Sequence, residues 1–377
     1  MNIGEKSLQL HKKLKGKIAV SPRIEIKNAR DLSLVYTPGV ASVSQHLAKN
    51  KSELTKYTIK NNTVAVISDG SAVLGLGNIG PEGALPVMEG KCLIFKNFAN
   101  IDAFPIVLST QDPDEIIKAI VAISPVFGGI NLEDIIAPKC FYIEEELKKC
   151  LDIPVVHDDQ WGTATVVLAG LINSLKVVDK KIDQVKIVVL GAGAAGWAVA
   201  KILTAFGGKN ILSCDSQGIV YGGRIGNSPQ KEELAKITNI NNEKGDLISA
   251  MKNADVFIGV SRANLVTPEM VGSMNKRSII FAMANPHPEI LLDVAKKAGA
   301  YIIASGRSDF PNQVNNALVF PGVFRGALDN KVKKITLKMF IEAAQNLAIL
   351  VKNPNPEEII PSIFDKGVVD AVARAIR

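Results

Sequence analysis

The chain has 377 residues, 47% hydrophobic and 21% charged, with a net charge of +7; that is enough for two domains with developed cores and excludes wholesale disorder. No apolar run reaches the roughly 18 uncharged residues of a membrane span, and the lysine-interrupted start MNIGEKSLQLHKKLKGKIAV lacks the apolar core of a signal peptide. The lysines are scattered, without the interleaved aromatics of a nucleic-acid surface, and Cys92, Cys140, Cys150 and Cys214 show no CxxC spacing, so the expectation is a cytoplasmic protein with reduced thiols, no membrane and no nucleic-acid partner.

Residues 1–60 read as helix and loop, with Tyr36 at the entrance of a Pro38-Gly39 turn. Taken alone, such a tyrosine is most simply a packed aromatic. From Thr63 the pattern turns regular: an apolar strand at 63–67 ending at Asp69, a glycine-rich segment, a helix from Val87 to Ala99 carrying Lys91, and a strand at 104–108. Asp112-Pro113-Asp114-Glu115 then starts a helix, with acids in its first turn and Pro near its first position. A strand at 129–132 ends in Glu133-Asp134, a helix covers 143–151, and a strand at 153–156 leads to His157-Asp158-Asp159. Strands alternating with helices in this way predict an α/β fold with a parallel sheet covered on both faces.

Parallel sheets collect functional groups at the carboxyl ends of their strands, where Asp69, Glu133, Asp134, Asp158 and Asp159 all fall. Helix capping explains one acid per turn more easily than two adjacent pairs. The two pairs suit oxygen ligation of a hard divalent cation, Mg or Mn, and none of the four histidines has zinc-site spacing.

After a helix from Gly162 to about Val178, a strand at 185–190 runs into Gly191-Ala192-Gly193-Ala194-Ala195-Gly196 and an alanine-rich helix. This is the Rossmann dinucleotide arrangement: Gly191 for the tight turn, Gly193 for approach of the pyrophosphate, Gly196 for close helix–strand packing. Asp215, ending the next strand, stands where a carboxylate meets the adenosine ribose, which favours NAD; nearby Arg224 leaves NADP possible. Strands at 256–260, 279–282 and 301–304 end in Ser261, in Asn285 and in the loop bearing Asn315 and Asn316. These polar groups either cap turns or bind nicotinamide or substrate. Beyond Phe320 the chain is helical, interrupted at Pro354 and Pro356, and its tail is expected to pack back on the first domain.

The segments LVYTPGVA, DGSAVLGLGNIGPEGALPVMEGK, FANIDAFPI, GGINLEDI, VVHDDQWGTA, VVLGAGAAG, ANPHPEI and PNQVNNALVFPG, in this order, resemble the malic enzymes, within them the short microbial branch. The resemblance implies NAD(P)- and metal-dependent oxidative decarboxylation of malate to pyruvate by a homodimer. It implies Tyr36 as general acid, Lys91 as general base with Asp158 beside it, and Glu133, Asp134 and Asp159 as metal ligands. Asn285 and Asn316 fall where the family contacts substrate or nicotinamide. It further implies a substrate and metal domain of residues 1–160 rejoined by 318–377, and a Rossmann domain of 161–317. As a base Lys91 must be neutral, so burial and a neighbouring cation are expected to lower its pKa against the pull of Asp158.

The chain departs from the family pattern at three places. Ser71-Ala72-Val73 replaces the arginine that precedes LGLG in larger members, Trp161 stands where histidine is expected, and His287 where threonine is expected. Two other readings share the residues: a non-decarboxylating NAD-dependent dehydrogenase of another hydroxy or amino acid, and a non-catalytic NAD-binding regulatory protein. Released CO2 separates the first from malate decarboxylation, and absence of turnover beside tight NAD binding marks the second.

Overall fold

The structure, a computed structural model, describes residues 2–377. Before the first strand come α1 (Ile3–Leu14), α2 (Ala29–Val35), α3 (Gly39–Lys49) and the single turn α4 (Leu54–Tyr57). None of the first three buries a residue, and Leu8, Leu32, Leu34, Val40 and Val43 all lie exposed. An apolar stripe on a helix needs a partner surface.

The first sheet is parallel throughout. Its strands β1 (Thr63–Ser68), β2 (Asp102–Val107), β3 (Gly129–Leu132) and β4 (Val155–His157) stand in the order β2-β1-β3-β4. The crossovers are α5 (Gly80–Ala99), α6 (Pro113–Ile123) and α7 (Lys139–Cys150). Side chains alternate across a strand: Val64 and Val66 join one apolar core while Ala65 and Ile67 join another on the opposite face. Both faces are therefore covered, as a parallel sheet requires.

From β4 the chain enters α8 (Asp158–Val178), long and apolar enough to cross a membrane but mostly buried within the molecule. It packs against α9 (Ala194–Ala205) and, near the chain's end, α15 (Leu337–Ile349). The second sheet contains β5 (Lys186–Leu190), β6 (Asn210–Asp215), the short β7 (Gly218–Ile219), β8 (Val256–Gly259), β9 (Ile279–Ala282) and β10 (Ile302–Ser305). Their order is β10-β9-β8-β5-β6-β7, with only β7 antiparallel. The strand order turns back between β5 and β8, the switch point at which such sheets bind ligands. Four short helices complete the unit: α10 (Pro229–Ile237), α11 (Leu247–Met251), α12 (Pro268–Gly272) and α13 (Leu292–Lys297).

The closing helices α14 (Phe320–Asp329), α15 and α16 (Val368–Ala373) reach back over the first sheet. Phe320 and Phe324 of α14 meet Phe95 of α5 edge-on, at 4.7 and 5.5 Å between centroids. Asn173 of α8 donates to the carbonyls of Ala348 (2.9 Å) and Ile359 (3.0 Å), which fixes the tail to the long helix.

Three helices start earlier than the sequence expectation, α7 among them at Lys139 rather than 143. Helix α5 begins at Gly80 rather than Val87 and holds Pro86 inside it; Ala84 and Met88 are fully buried, so packing overrides the poor propensity of Gly and Pro. Helix α8 begins at Asp158, not after Gly162, because its two acids sit in the first turn, where the helix dipole favours them.

Candidate active site

The register of the first sheet sets the two acidic pairs side by side. Leu132 of β3 pairs with His157 of β4, so Glu133-Asp134 and Asp158-Asp159 leave adjacent strands at the same level. The Asp159 carboxylate accepts the Asp134 backbone N–H at 2.8 Å. One oxygen each from Glu133, Asp134 and Asp159 fall within 4.8 Å of one another. Asn131 steadies Glu133 at 3.0 Å, whereas Asp134 Oδ2 is buried with no hydrogen-bond partner.

Lys91, on the buried face of α5, reaches this cluster. Its ammonium lies 2.9 Å from Glu133, in direct contact with Asp158, and 4.3 Å from the centre of the Phe320 ring. Gly162 makes room for the arrangement, since a Cβ there would strike Asp158 Oδ1 at 1.9 Å.

Crowding four carboxylates in an apolar wall shifts them strongly. Burial raises Glu133 to about 7 against the pull of Lys91, and burial with repulsion from Asp159 and Glu133 raises Asp134 to about 9. Burial likewise raises Asp158 to about 7 and moves Asp159 upward. For Lys91 the sequence expectation joins burial to a neighbouring cation, and the protein's own groups act on it in opposite directions. Burial acts to lower its pKa, but Asp158, Glu133 and Asp159 outweigh burial and raise it.

The cluster opens into a cavity of about 780 Å³ between the two sheets. Glu133, Asp134, Asp159 and Lys91 line one side; Ala195, Ser261, Asn285, Asn315 and Asn316 line the other; Phe320 contributes from the tail. Backbones from the two halves touch at its edge, where a Cβ on Gly75 would meet the Asn285 carbonyl at 1.9 Å. Asn315 is partly committed to local bonds, donating to Gly306 O and accepting from Ala317 N.

The glycine loop has the anticipated shape. Gly191 takes a φ of +116°. A Cβ on Gly196 would lie 1.6 Å from the Gly191 carbonyl, while one on Gly193 would meet nothing within 4 Å, leaving open space at the N-terminus of α9. Ala194 is the first residue of that helix.

One sequence-derived candidate lies elsewhere. Tyr36 is 65% exposed and does not line the cavity of its own chain. Asp215 ends β6 as expected and is paired there with Arg224 and Lys231.

Other residues that shape the site carried no role in the sequence reading. Buried Glu289 accepts the backbone N–H groups of Ser261 (2.9 Å) and Ala284 (3.1 Å), tying together two strand-end loops. Lys139 pairs with buried Asp69, and Asp69 holds Ser71, whose hydroxyl accepts the Ile136 N–H. Ser7, Leu8 and His11 of α1, with Lys17 beyond it, form part of the cavity wall. Trp161 proves structural. Its indole donates to buried Glu144 at 3.1 Å, and its ring lies flat on Phe340, 5.4 Å between centroids and 9° between planes. Nothing in the structure explains exposed His287.

Residues 15–148 match the malic enzyme N-terminal domain and residues 161–376 the malic enzyme NAD binding domain. The chain belongs to the malic enzyme family. It is 52% identical to the bifunctional malic/malolactic enzyme of Bacillus subtilis, over all of this chain and 92% of that protein. It is 45% identical to the NADP-dependent malic enzyme of Escherichia coli, over 96% of this chain and 50% of that one. The crystal structure of the NAD-dependent malic enzyme of Thermotoga maritima superposes with a TM-score of 0.95 at 50% identity, covering 98% of each chain. As a member of the malic enzyme family the chain is an NAD(P)-dependent enzyme, and the sheet around Gly191 is its Rossmann-type domain.

Proposed function

We propose that this chain catalyses oxidative decarboxylation of L-malate to pyruvate and CO2 with reduction of NAD(P). The observation that carries the reading is the buried Lys91 facing Glu133, Asp134 and Asp159 in one cavity with the nicotinamide side of the Rossmann sheet. The printed names of the relatives, malic enzymes of both NAD and NADP type, support it.

The acid cluster fits a divalent cation. Its donors are all carboxylate oxygens, one of them buried without a partner, and their raised pKa values express a need for positive charge. We assign Glu133, Asp134 and Asp159 to hold Mg or Mn. When bound, such a cation supplies Lewis acidity at the C2 oxygen and nicotinamide supplies the hydride acceptor.

The chain's own groups carry the protons. Lys91 takes the C2 hydroxyl proton as hydride leaves C2, and Asp158, in contact with it, holds its amine in place. For this Lys91 must be neutral, which neutralisation of the carboxylates that raise its pKa promotes. Asn285 and Asn316 offer amides to the malate carboxylates, and Asn285, Asn315 and Ser261 to nicotinamide and its ribose. Phe320 and Ile94 add apolar surface to the cavity wall.

Loss of CO2 leaves an enolate that needs a proton at C3, the role assigned to Tyr36. Because Tyr36 stands outside its own cavity, we place it in the cavity of a second copy, so that the enzyme is a homodimer joined through residues 1–60. The uncovered apolar faces of α1–α3 support this. Residues 1–160 with 318–377 then form the substrate domain and 161–317 the nucleotide domain. We place the enzyme in the cytoplasm, in keeping with its four free thiols.

The test is stoichiometric: with malate, Mn and NAD or NADP, reduced cofactor, pyruvate and CO2 should appear in equal amounts and stop on exhaustive chelation. Oxidation of malate without CO2 release would overturn the reading. The Bacillus subtilis relative, named malic/malolactic, favours a second output, lactate formed without net NADH, which the same assay reads directly.

A further inference from the structure

Malate carries two carboxylates, and the cavity assigned to it already has Glu133, Asp134 and Asp159 in its wall. The acid cluster serves the C2 end of the substrate. The C4 carboxylate needs a positive partner of its own, because taking a charge out of water is costly unless it is paired. The segment after Ser71 brings only Ala72, Leu74 and Gly75 to the wall, and the amides of Asn285, Asn315 and Asn316 are uncharged.

The basic side chains that line the cavity are Lys91, His11 and Lys17. Lys91 is paired with Asp158 and Glu133, and His11 donates its Nδ1–H to the Ser7 carbonyl at 2.8 Å. Lys17 is differently placed. An ammonium has three N–H donors, and Lys17 uses one, on the Pro86 carbonyl at 2.6 Å. Among the described residues no carboxylate forms an ion pair with it.

Local structure holds Lys17 there without occupying its charge. Lys15 caps α1 at a φ of +57° and Gly16 follows at +122°, so the chain turns at the end of the helix and meets α5. Glu89 accepts the backbone N–H of Lys17 at 3.1 Å. The ammonium rests against Gly90, where a Cβ would lie 3.5 Å from Nζ, and the next residue is Lys91. Lys17 is thus anchored on the stretch of α5 that carries the general base. Burial lowers the Lys17 pKa more than Glu89 raises it, the mark of an ammonium short of negative charge.

We propose that Lys17 is the substrate-carboxylate cation of this site: its free N–H groups pair with the C4 carboxylate of malate and select a dicarboxylic hydroxy acid over a monocarboxylic one. The proposal rests on malate as the substrate. Decarboxylation breaks the C3–C4 bond and turns that carboxylate into neutral CO2, so the pair strengthens substrate binding and not the transition state that releases CO2. Its loss should raise KM for malate more than it lowers kcat.

L-lactate is malate without the C4 carboxylate, and with Mn and NADH bound neither acid is oxidised, so NADH fluorescence can report the binding of each. In Lys17→Met, which keeps the stem and removes the charge, malate affinity should fall roughly 10- to 100-fold, the range of a charge-assisted hydrogen bond. L-lactate affinity should stay within about threefold, and unchanged NADH affinity shows that the variant is folded. Lys17→Arg, which keeps the charge, should restore most of the malate affinity. Malate affinity in Lys17→Met within about twofold of the natural chain, or equal losses for malate and L-lactate, would overturn the proposal. If the natural chain shows this pattern but releases no CO2 from malate, the decarboxylase reading fails and the Lys17 pairing stands; if CO2 is released and Lys17→Met binds malate as the natural chain does, the Lys17 pairing alone fails.

Discussion

Lys91 and Asp158 meet as a direct ion pair, both nearly fully buried, at the point where β4 passes into α8. The pair joins the middle of α5 to the first turn of the helix that leads into the nucleotide-binding sheet. A general base fixed in this way keeps its position relative to both halves of the cavity.

Asp158 tunes Lys91 as well as holding it. Asp158→Asn removes the first of three carboxylates that raise the lysine, so its pKa falls and the base becomes neutral at lower pH. The acidic limb of the pH–rate profile should move to lower pH while kcat drops through looser positioning. An acidic limb at its original position in Asp158→Asn would show that Lys91 is not the group it reports.

The acid cluster also makes stability depend on pH and metal. Glu133, Asp134 and Asp158, raised to about 7, 9 and 7, keep protons in the folded chain that the unfolded chain gives up near the usual carboxylate range. The folded state binds more protons over this window, so stability of the metal-free protein falls as pH rises from about 4 to about 9. Lys91, raised, is charged in both states over that window and adds no slope. A divalent cation replaces those protons, so the gain in Tm on adding Mn should grow as pH rises. A gain that is absent, or constant with pH, would remove the cluster from the metal's coordination.

Trp161 carries packing and a buried hydrogen bond together. Trp161→Ala forfeits the stack on Phe340 and the edge contact with Trp197 and should cost about 3–5 kcal/mol in denaturant unfolding. Trp161→Phe keeps much of the ring contact but takes one donor from Glu144, which retains the His157 N–H and Lys148; the expected cost is about 1 kcal/mol. Equal losses for the two variants would mean that the indole N–H, not the ring, does the holding.

If Tyr36 serves the partner's site, two dead variants should rescue each other. Tyr36→Ala and Lys91→Ala are each expected to be inactive as homodimers. Mixed and allowed to exchange subunits, they form heterodimers with one site that has both groups. Malate turnover should return to roughly a quarter of the natural rate, the share set by random pairing in a closed twofold dimer. No recovery in a mixture shown to contain heterodimers would place Tyr36 in its own chain's site.

The strands were legible because a parallel sheet buried on both faces demands unbroken apolar runs, and Val64–Ile67 and Ile187–Leu190 are such runs. The glycine loop was legible for a related reason: its spacing matches the turn, the open approach and the tight packing seen at Gly191, Gly193 and Gly196. Contacts far apart in sequence were not legible. Trp161 is explained by Glu144, 17 positions earlier, and by Phe340 far beyond it, and no local pattern links the three. Arg224 was visible as a basic residue near Asp215, but the ion pair of Lys231 with Asp215 depends on how α10 turns back toward β6. Tyr36 was readable as a turn residue and not as one lying outside its own cavity, since that is decided by the path of the whole N-terminal segment.

The central claim is that Lys91 is the base of a decarboxylating malate oxidation, and Lys91→Ala tests it most directly. Malate-dependent formation of NADH and pyruvate should fall about 100- to 10,000-fold while NADH titrates the variant with the affinity of the natural chain. Turnover within about threefold of the natural rate, with NADH binding intact, would contradict the account, because so small a loss is below what removing a general base costs.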